Sequence, residues 1–173
     1  MTTQTEKTSW IPALAATAGM VLVTMDIFMK PVAKKALEQD FGVDAGAIQA
    51  AISIFAIIYA GLCILGGKLG DMHGKKKIYI IGLALYGLSA LVTTMAPTFS
   101  IVVLGFAVIR GLAAPLAIPA SVALIIASYT VEAHRGKAFS IYGVGGSLAG
   151  LAAPLLMGFM ADNVSWRVPF GLE

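Results

Sequence analysis

The amino-acid sequence predicts an all-α, polytopic membrane bundle of five spans plus the start of a sixth. Three observations carry that prediction. Hydrophobic residues make up 58% of the chain and charged residues only 12%, against about 25% charged in soluble domains, so one water-facing core could not hide the apolar surface. Five apolar stretches are each long enough to cross a hydrocarbon core, which takes about 20 helical residues. These stretches are apolar on all sides, whereas barrel strands run about 10 residues with alternating polarity. Over such a run in lipid, only a helix satisfies its own backbone groups.

Taken in order, residues 1–10 read as a polar tail. The first span runs from Ile11 to Met29 and contains Asp26. Lys7 followed by Ile11 to Thr24 resembles a signal peptide, but the apolar stretch carries on to Met29 and four further spans follow, which favours a retained helix. The second span, Ala45 to Gly67, has Gln49 and Ser53 as its polar interruptions before a glycine-rich end. The third is Ile78 to Ala96, closed by Pro97. The fourth, Phe99 to Ser128, is overlong and carries Arg110, Pro115 and Pro119, so it should tilt, kink or protrude. The fifth, Ala138 to Ala161, has no charge. Asp162 to Glu173 reads as a loop and the mouth of a sixth helix.

Lysine and arginine placement sets the expected orientation. Lys7, Lys68, Lys75, Lys76, Lys77, Arg135 and Lys137 fall on one side, against Lys30, Lys34, Lys35 and Arg167 on the other. The side richer in basic residues should be cytoplasmic, which puts the N-terminus inside and the chain in the plasma membrane. Glu38, Asp40 and Asp44 offset the lysines of the first outer loop.

Several function classes are disfavoured. The formal charge is +3, and the basic residues cluster between apolar segments instead of forming a stripe. That pattern argues against nucleic acid and fits loops that meet anionic headgroups. Cys63 is the sole cysteine, so neither an intrachain disulfide nor a cysteine metal site is expected. His73 and His134 lie in different loops without a third ligand, which leaves no metal site and no hydrolytic triad. Gly143-x-Gly145-Gly146 follows no strand, so it is no dinucleotide loop. No enzymatic role and no cofactor are expected.

Between Gly67 and Lys77 the chain reads Gly-Lys-Leu-Gly-Asp-Met-His-Gly-Lys-Lys-Lys. Gly66, Gly70 and Gly74 fall four apart, a spacing that lets helix backbones approach. Asp71 could accept hydrogen bonds from a helix N-terminus or pair with a basic residue on a neighbouring helix. Gly67, Gly70, Asp71, Gly74, Lys75 and Lys76 are therefore the candidate gating loop, a latch made and broken as helices rock.

This loop resembles the signature between the second and third helices of major facilitator superfamily transporters. Met25-Asp26 is similar to the Leu-Asp pair of the 14-helix drug:proton antiporter branch. Trp166-Arg167-Val168-Pro169-Phe170 resembles the Trp-Arg-x-x-Phe that leads into that branch's sixth helix, and Arg135-Gly136-Lys137-Ala138 its short basic loop. The resemblance covers about Leu14 to Phe170. It implies that residues 11–173 are part of an N-terminal half-bundle, working by alternating access and coupling solute movement to an ion gradient. Two departures stand out. Arg110 is followed by Gly-Leu-Ala-Ala-Pro-Leu where the family has a Gln-Gly pair. In the fifth span, Ala149-x-x-x-Ala153-Pro154-x-x-Met157-Gly158 keeps only Pro154 and the last glycine of the antiporter pattern.

Two charges within spans are the candidates for proton coupling or substrate binding. Arg110 would cost roughly 2.5–3.5 kcal/mol at the bilayer centre if it faced lipid, so it should face the bundle interior. There it could bind an anion or tune a carboxylate; alternatively, it could bond carbonyls freed by Pro115 or Pro119. Asp26 is a protonatable group in an apolar span, yet Lys30 lies one turn on, at the spacing of a simple ion pair. Gly146, Gly150, Pro154 and Gly158, each four apart, form the expected packing face of the fifth helix, and Gly146-x-x-x-Gly150 is also a candidate contact between two copies.

The expected function is proton-coupled efflux of small amphipathic compounds or drugs. The alternatives are a metabolite or sugar carrier of the same superfamily, or a truncated membrane protein with no transport of its own. The expected partners are a small-molecule substrate and protons, membrane lipid, and the C-terminal half of a transporter, without which these 173 residues should not transport.

Overall fold

The computed structural model describes residues 9–163 and 165–171, with the side chains of residues 29–33, 157, 161–163 and 169 outside that description. Among the described residues all regular structure is helical, and five helices are long and apolar enough to cross a membrane.

Helix α1 (Ile11–Phe41) has proline in its first turn and stops at Gly42, whose φ of 62° is the left-handed conformation that glycine adopts freely. It runs twelve residues past the expected end of the first span. Hydropathy marks where a helix leaves hydrocarbon, not where it unwinds. The Lys34 to Gln39 stretch is made of good helix formers, and Leu37 within it is buried in the apolar cluster that also holds Trp166 and Phe170. Helix α2 (Ala45–His73) is capped by Asp44, which accepts a hydrogen bond from the Ala47 N–H at 3.2 Å. A single residue, Gly74 at φ 94°, then joins it to α3 (Lys75–Thr94). The expected gating loop is therefore mostly helix: Gly67, Gly70 and Asp71 lie in the last two turns of α2. No proline interrupts this run, and its charges project from a continuing helix.

Helix α4 (Phe99–Val102), a π-helical segment (Val103–Ile109) and α5 (Arg110–Ser128) are consecutive turns of one continuous fourth span. Helix α6 (Glu132–Asn163) is the fifth span, and α7 (Arg167–Gly171) the short helix after it.

The first span packs along the fifth, while the second and third pack against the fourth. Lipid tails are as apolar as the helices, so association in a bilayer rests on close fit and interhelical hydrogen bonds. The fourth span provides that fit with small residues: Ala113, Ala114, Ala117 and Ala120 are all buried. Its neighbours approach through glycine. A Cβ on Gly66 would overlap the Pro115 carbonyl, and one on Gly82 would press on the Ala117 backbone. The Tyr79 hydroxyl donates to the Ala15 carbonyl at 2.5 Å, tying the third span to the first.

Within this chain the fifth span packs through only part of the expected face. Cβ atoms on Gly146 and Gly150 would meet Met20, and Thr24 and Phe28, of the first span, whereas Gly158 looks into open space and Pro154 is exposed. A four-residue step rotates about 40° around a helix, so the stripe drifts off the interface within three steps. Ala149 and Ala153 complete the buried face instead. The Gly146-x-x-x-Gly150 surface is thus filled within the chain, which corrects its reading as a contact between copies.

The glycine contacts separate two adjacent positions. Gly66→Ala should destabilise the bundle by about 1–3 kcal/mol, because carbonyl backbone cannot give way. Gly67→Ala, with nothing within 4 Å of its Cβ, should be neutral or mildly stabilising. Thermal unfolding of the two variants in detergent checks the contrast.

Candidate functional site

The π-helical turns of the fourth span end at Arg110. Its backbone N–H reaches back five residues to the Gly105 carbonyl. The wide turn brings this stretch hard against the third span: a Cβ on Gly105 would overlap the Thr93 hydroxyl. Ser89 of the third span donates its hydroxyl to the Gly105 carbonyl at 3.0 Å, and the Arg110 Nε donates to the same Ser89 Oγ at 3.0 Å. Thr93 in turn donates to the Ser89 carbonyl at 2.8 Å. Serine therefore clamps both the irregular backbone and the arginine that follows it. π-helical turns of this kind recur at functional sites.

The guanidinium then crosses to the first span. Arg110 Nη1 donates to Asp26 Oδ1 at 2.5 Å, with Arg110 fully buried and Asp26 2% exposed. The rings of Tyr86, Phe106 and Phe170 surround the cation, with centroids 4.9, 5.8 and 5.6 Å from its Cζ. A cavity of about 160 Å³ opens beside the pair. Asp26, Tyr59, Phe55 and Tyr86 line it, with Ala114 and Ile118 from the fourth span. Phe55 stacks on Tyr59 and on Phe106 at 6.0 and 5.6 Å. The carboxylate of the pair thus lines an aromatic pocket between the first four spans.

Asp26 and Arg110, two separate candidates in the sequence, are brought together as a pair. Asp26 is buried rather than solvated at a span end. Arg110 bonds Ser89 and Asp26, and the Lys30 side chain that was the rival partner of Asp26 lies outside the described residues. The gating residues stand apart from this site. Asp71 is exposed and 4.0 Å from the Nζ of Lys75, the first residue of α3. Gly70 is buried in α2, and Gly74 supplies the turn.

Sequence reasoning missed Tyr86, Ser89 and Thr93. Their spacing of three and four residues places all three on one face of an otherwise apolar span, and that was the available signal. The role of Trp166-Arg167-x-x-Phe170 was also missed. The Trp166 Nε1 donates to Asp40 Oδ2 at 2.7 Å, while Arg167 bonds the same oxygen at 3.1 Å and the Ala96 carbonyl at 3.2 Å. These bonds anchor α7 to the ends of α1 and α3 and seat Phe170 beside Arg110.

A family model described as Major Facilitator Superfamily matches residues 16–173. The chain belongs to the Major Facilitator Superfamily. Among its relatives is the puromycin resistance protein of Streptomyces alboniger, 32% identical over 161 residues, covering 91% of this chain and 31% of that protein. The cephamycin export protein of Amycolatopsis lactamdurans is 27% identical, over 99% of this chain and 36% of its own length. The methylenomycin A resistance protein of Bacillus subtilis is 26% identical, over 88% of this chain and 32% of its own. The chain therefore spans about a third of the length of these superfamily relatives.

A buried pair is asymmetric in its energetics, since removing one partner strands the other charge. Asp26→Leu should cost about 3–5 kcal/mol of stability, and adding Arg110→Met should recover much of that loss. Thermal unfolding of single and double variants measures the difference.

Proposed function

We propose that the complete protein exports small amphipathic compounds in exchange for protons, with Asp26 as the proton-carrying group and Arg110 as its counter-charge. The observation that carries this reading is the buried Asp26–Arg110 pair, whose Asp26 lines the aromatic cavity. With the carboxylate charged, the pair holds the first span to the fourth. When a proton from outside lands on a carboxylate oxygen of Asp26, the charge pairing is lost. Arg110 keeps Ser89 and its surrounding rings, but the hold between the two spans weakens. Alternating access requires such a change in contact between helices. Release of the proton on the opposite side restores the pair. The names of the relatives, which speak of resistance and export, support the outward direction and the drug-like class of substrate. The aromatic rings and the carboxylate suit compounds with both a planar apolar part and a polar or cationic part.

In the same reading the molecule lies in the plasma membrane with its N-terminus cytoplasmic, which the basic-residue bias supports. The α2–α3 junction is then the cytoplasmic latch. Asp71 projects from the last turn of α2 with its carboxylate exposed, where it can meet a helix of the second half.

Two outcomes follow for the complete transporter in proteoliposomes. Asp26→Asn should leave substrate binding measurable and abolish flux driven by a pH gradient; wild-type coupling in that variant, or an identical defect from Lys30→Ala, would defeat the assignment. Asp71→Asn should lower turnover several-fold with little change in substrate affinity, as expected for a group that acts on the conformational step. Unchanged turnover at equal expression would remove Asp71 from the latch.

A further inference from the structure

A second, larger concavity lies at the opposite end of the third span from the Thr93 clamp. It has a volume of about 750 Å³ and sits where the ends of α2, α3 and α5 meet. Lys75, Lys76 and Lys77 line its rim, with Asp71 as the carboxylate among them. Three lysines against one carboxylate leave two positive charges in excess. Asp71 is itself 4.0 Å from Lys75 and largely exposed, so it offsets that cation weakly. Below the rim the lining is apolar. Ile80 and Ile81 stand four residues, about 6 Å, beneath Lys76 and Lys77. Leu124 and Ala127 of the fourth span form the facing wall. Ile80 is 53% and Ile81 39% exposed, so the trough is open along its length.

We infer that this trough is a binding site for an anionic phospholipid. The phosphate sits among the three lysines, and one acyl chain lies along Ile80, Ile81 and Leu124. Charge and depth select this occupant together. The lysines mark the level at which α3 passes from polar surroundings into its apolar run, which is the headgroup level of a bilayer. Lysines at that level attract anionic lipid. An apolar helix of another protein segment would satisfy the isoleucines but would strand the excess charge. A soluble anion would satisfy the lysines but leave the trough unfilled. A phospholipid of net negative charge meets both requirements. The site lies apart from the Asp26–Arg110 pair but shares Asp71, Lys75 and Lys76 with the proposed latch, and it depends on neither role.

Native mass spectrometry of the full chain, offered phosphatidylglycerol and phosphatidylcholine with matched acyl chains, tests the inference. Phosphatidylglycerol should be retained preferentially, and an excess of inorganic phosphate should not displace it. The combined Lys75→Gln, Lys76→Gln and Lys77→Gln variant should lose that preference by about tenfold or more. Lys34→Gln with Lys35→Gln, the same kind of charge removal elsewhere, should keep it. Ile81→Trp leaves every charge in place and fills the trough, so it should weaken retention of the long-chain lipid. It decides the matter even if the triple variant fails to fold. Equal retention of the two lipids, an equal loss from the Lys34 and Lys35 changes, displacement by phosphate, no effect of Ile81→Trp, or a second copy of the chain bound in place of lipid would each overturn the site.

Discussion

An arginine placed in the middle of an apolar helix constrains everything around it. Facing lipid, Arg110 would cost roughly 2.5–3.5 kcal/mol on insertion scales, so the bundle must enclose it and supply partners for a group with five donors. Three helices respond. The first brings Asp26, the third brings Ser89 and Tyr86, and α7 brings Phe170. Enclosure also has to leave the backbone satisfied. The π-helical turns before Arg110 free the regular hydrogen-bond register, and the Gly105 carbonyl accepts from both the Arg110 N–H and the Ser89 hydroxyl. The close approach of the third and fourth spans, which needs glycine at position 105, is part of the same solution.

The packing of the remaining spans is consistent with this centre. Small residues on the fourth span let the second and third lie close to it, through Gly66 and Gly82. The first span is held by the charge pair in its second half and by the Tyr79 bond to Ala15 near its start. Beyond the bilayer-length segment, the tail of α1 carries Asp40 to Trp166 and Arg167. A conformational change that loosens the Asp26–Arg110 pair would therefore be opposed at the Asp40 end, where α1 is tied to α7 and the α3–α4 connection.

Much of this architecture was legible in the sequence. Apolar runs of bilayer length fixed five spans, because lipid permits little but helices there. The bounds of the fourth span, Phe99 to Ser128, coincide with the observed helix. Beside charged segments the helices run on past the ends of the apolar spans. Lys68 to His73 and Lys34 to Phe41 remain helical although they are polar, since helix continuity depends on backbone propensity and local contacts, not on hydropathy. Asp26 and Arg110 stood out singly as charges in apolar surroundings. Their pairing did not, since a separation of 84 residues carries no periodic signal. The π-helical segment was equally silent, its Val-Leu-Gly-Phe-Ala-Val-Ile being ordinary for a membrane helix. The four-residue repeat carries Pro154 and Gly158 round from the first-span contact that Gly146 and Gly150 make, since a helix has 3.6 residues per turn.

The proposed coupling requires Asp26 to carry a proton whose arrival breaks its pairing with Arg110. Infrared difference spectroscopy of the complete protein in membranes, recorded on acidification, reads that event directly. A protonated-carboxyl band should form in the wild type, be missing from Asp26→Asn, and be accompanied by a change in the guanidinium bands assigned through isotope-labelled arginine. A carboxyl band that persists unchanged in Asp26→Asn, or acidification that drives transport while Asp26 stays ionised, would contradict the claim.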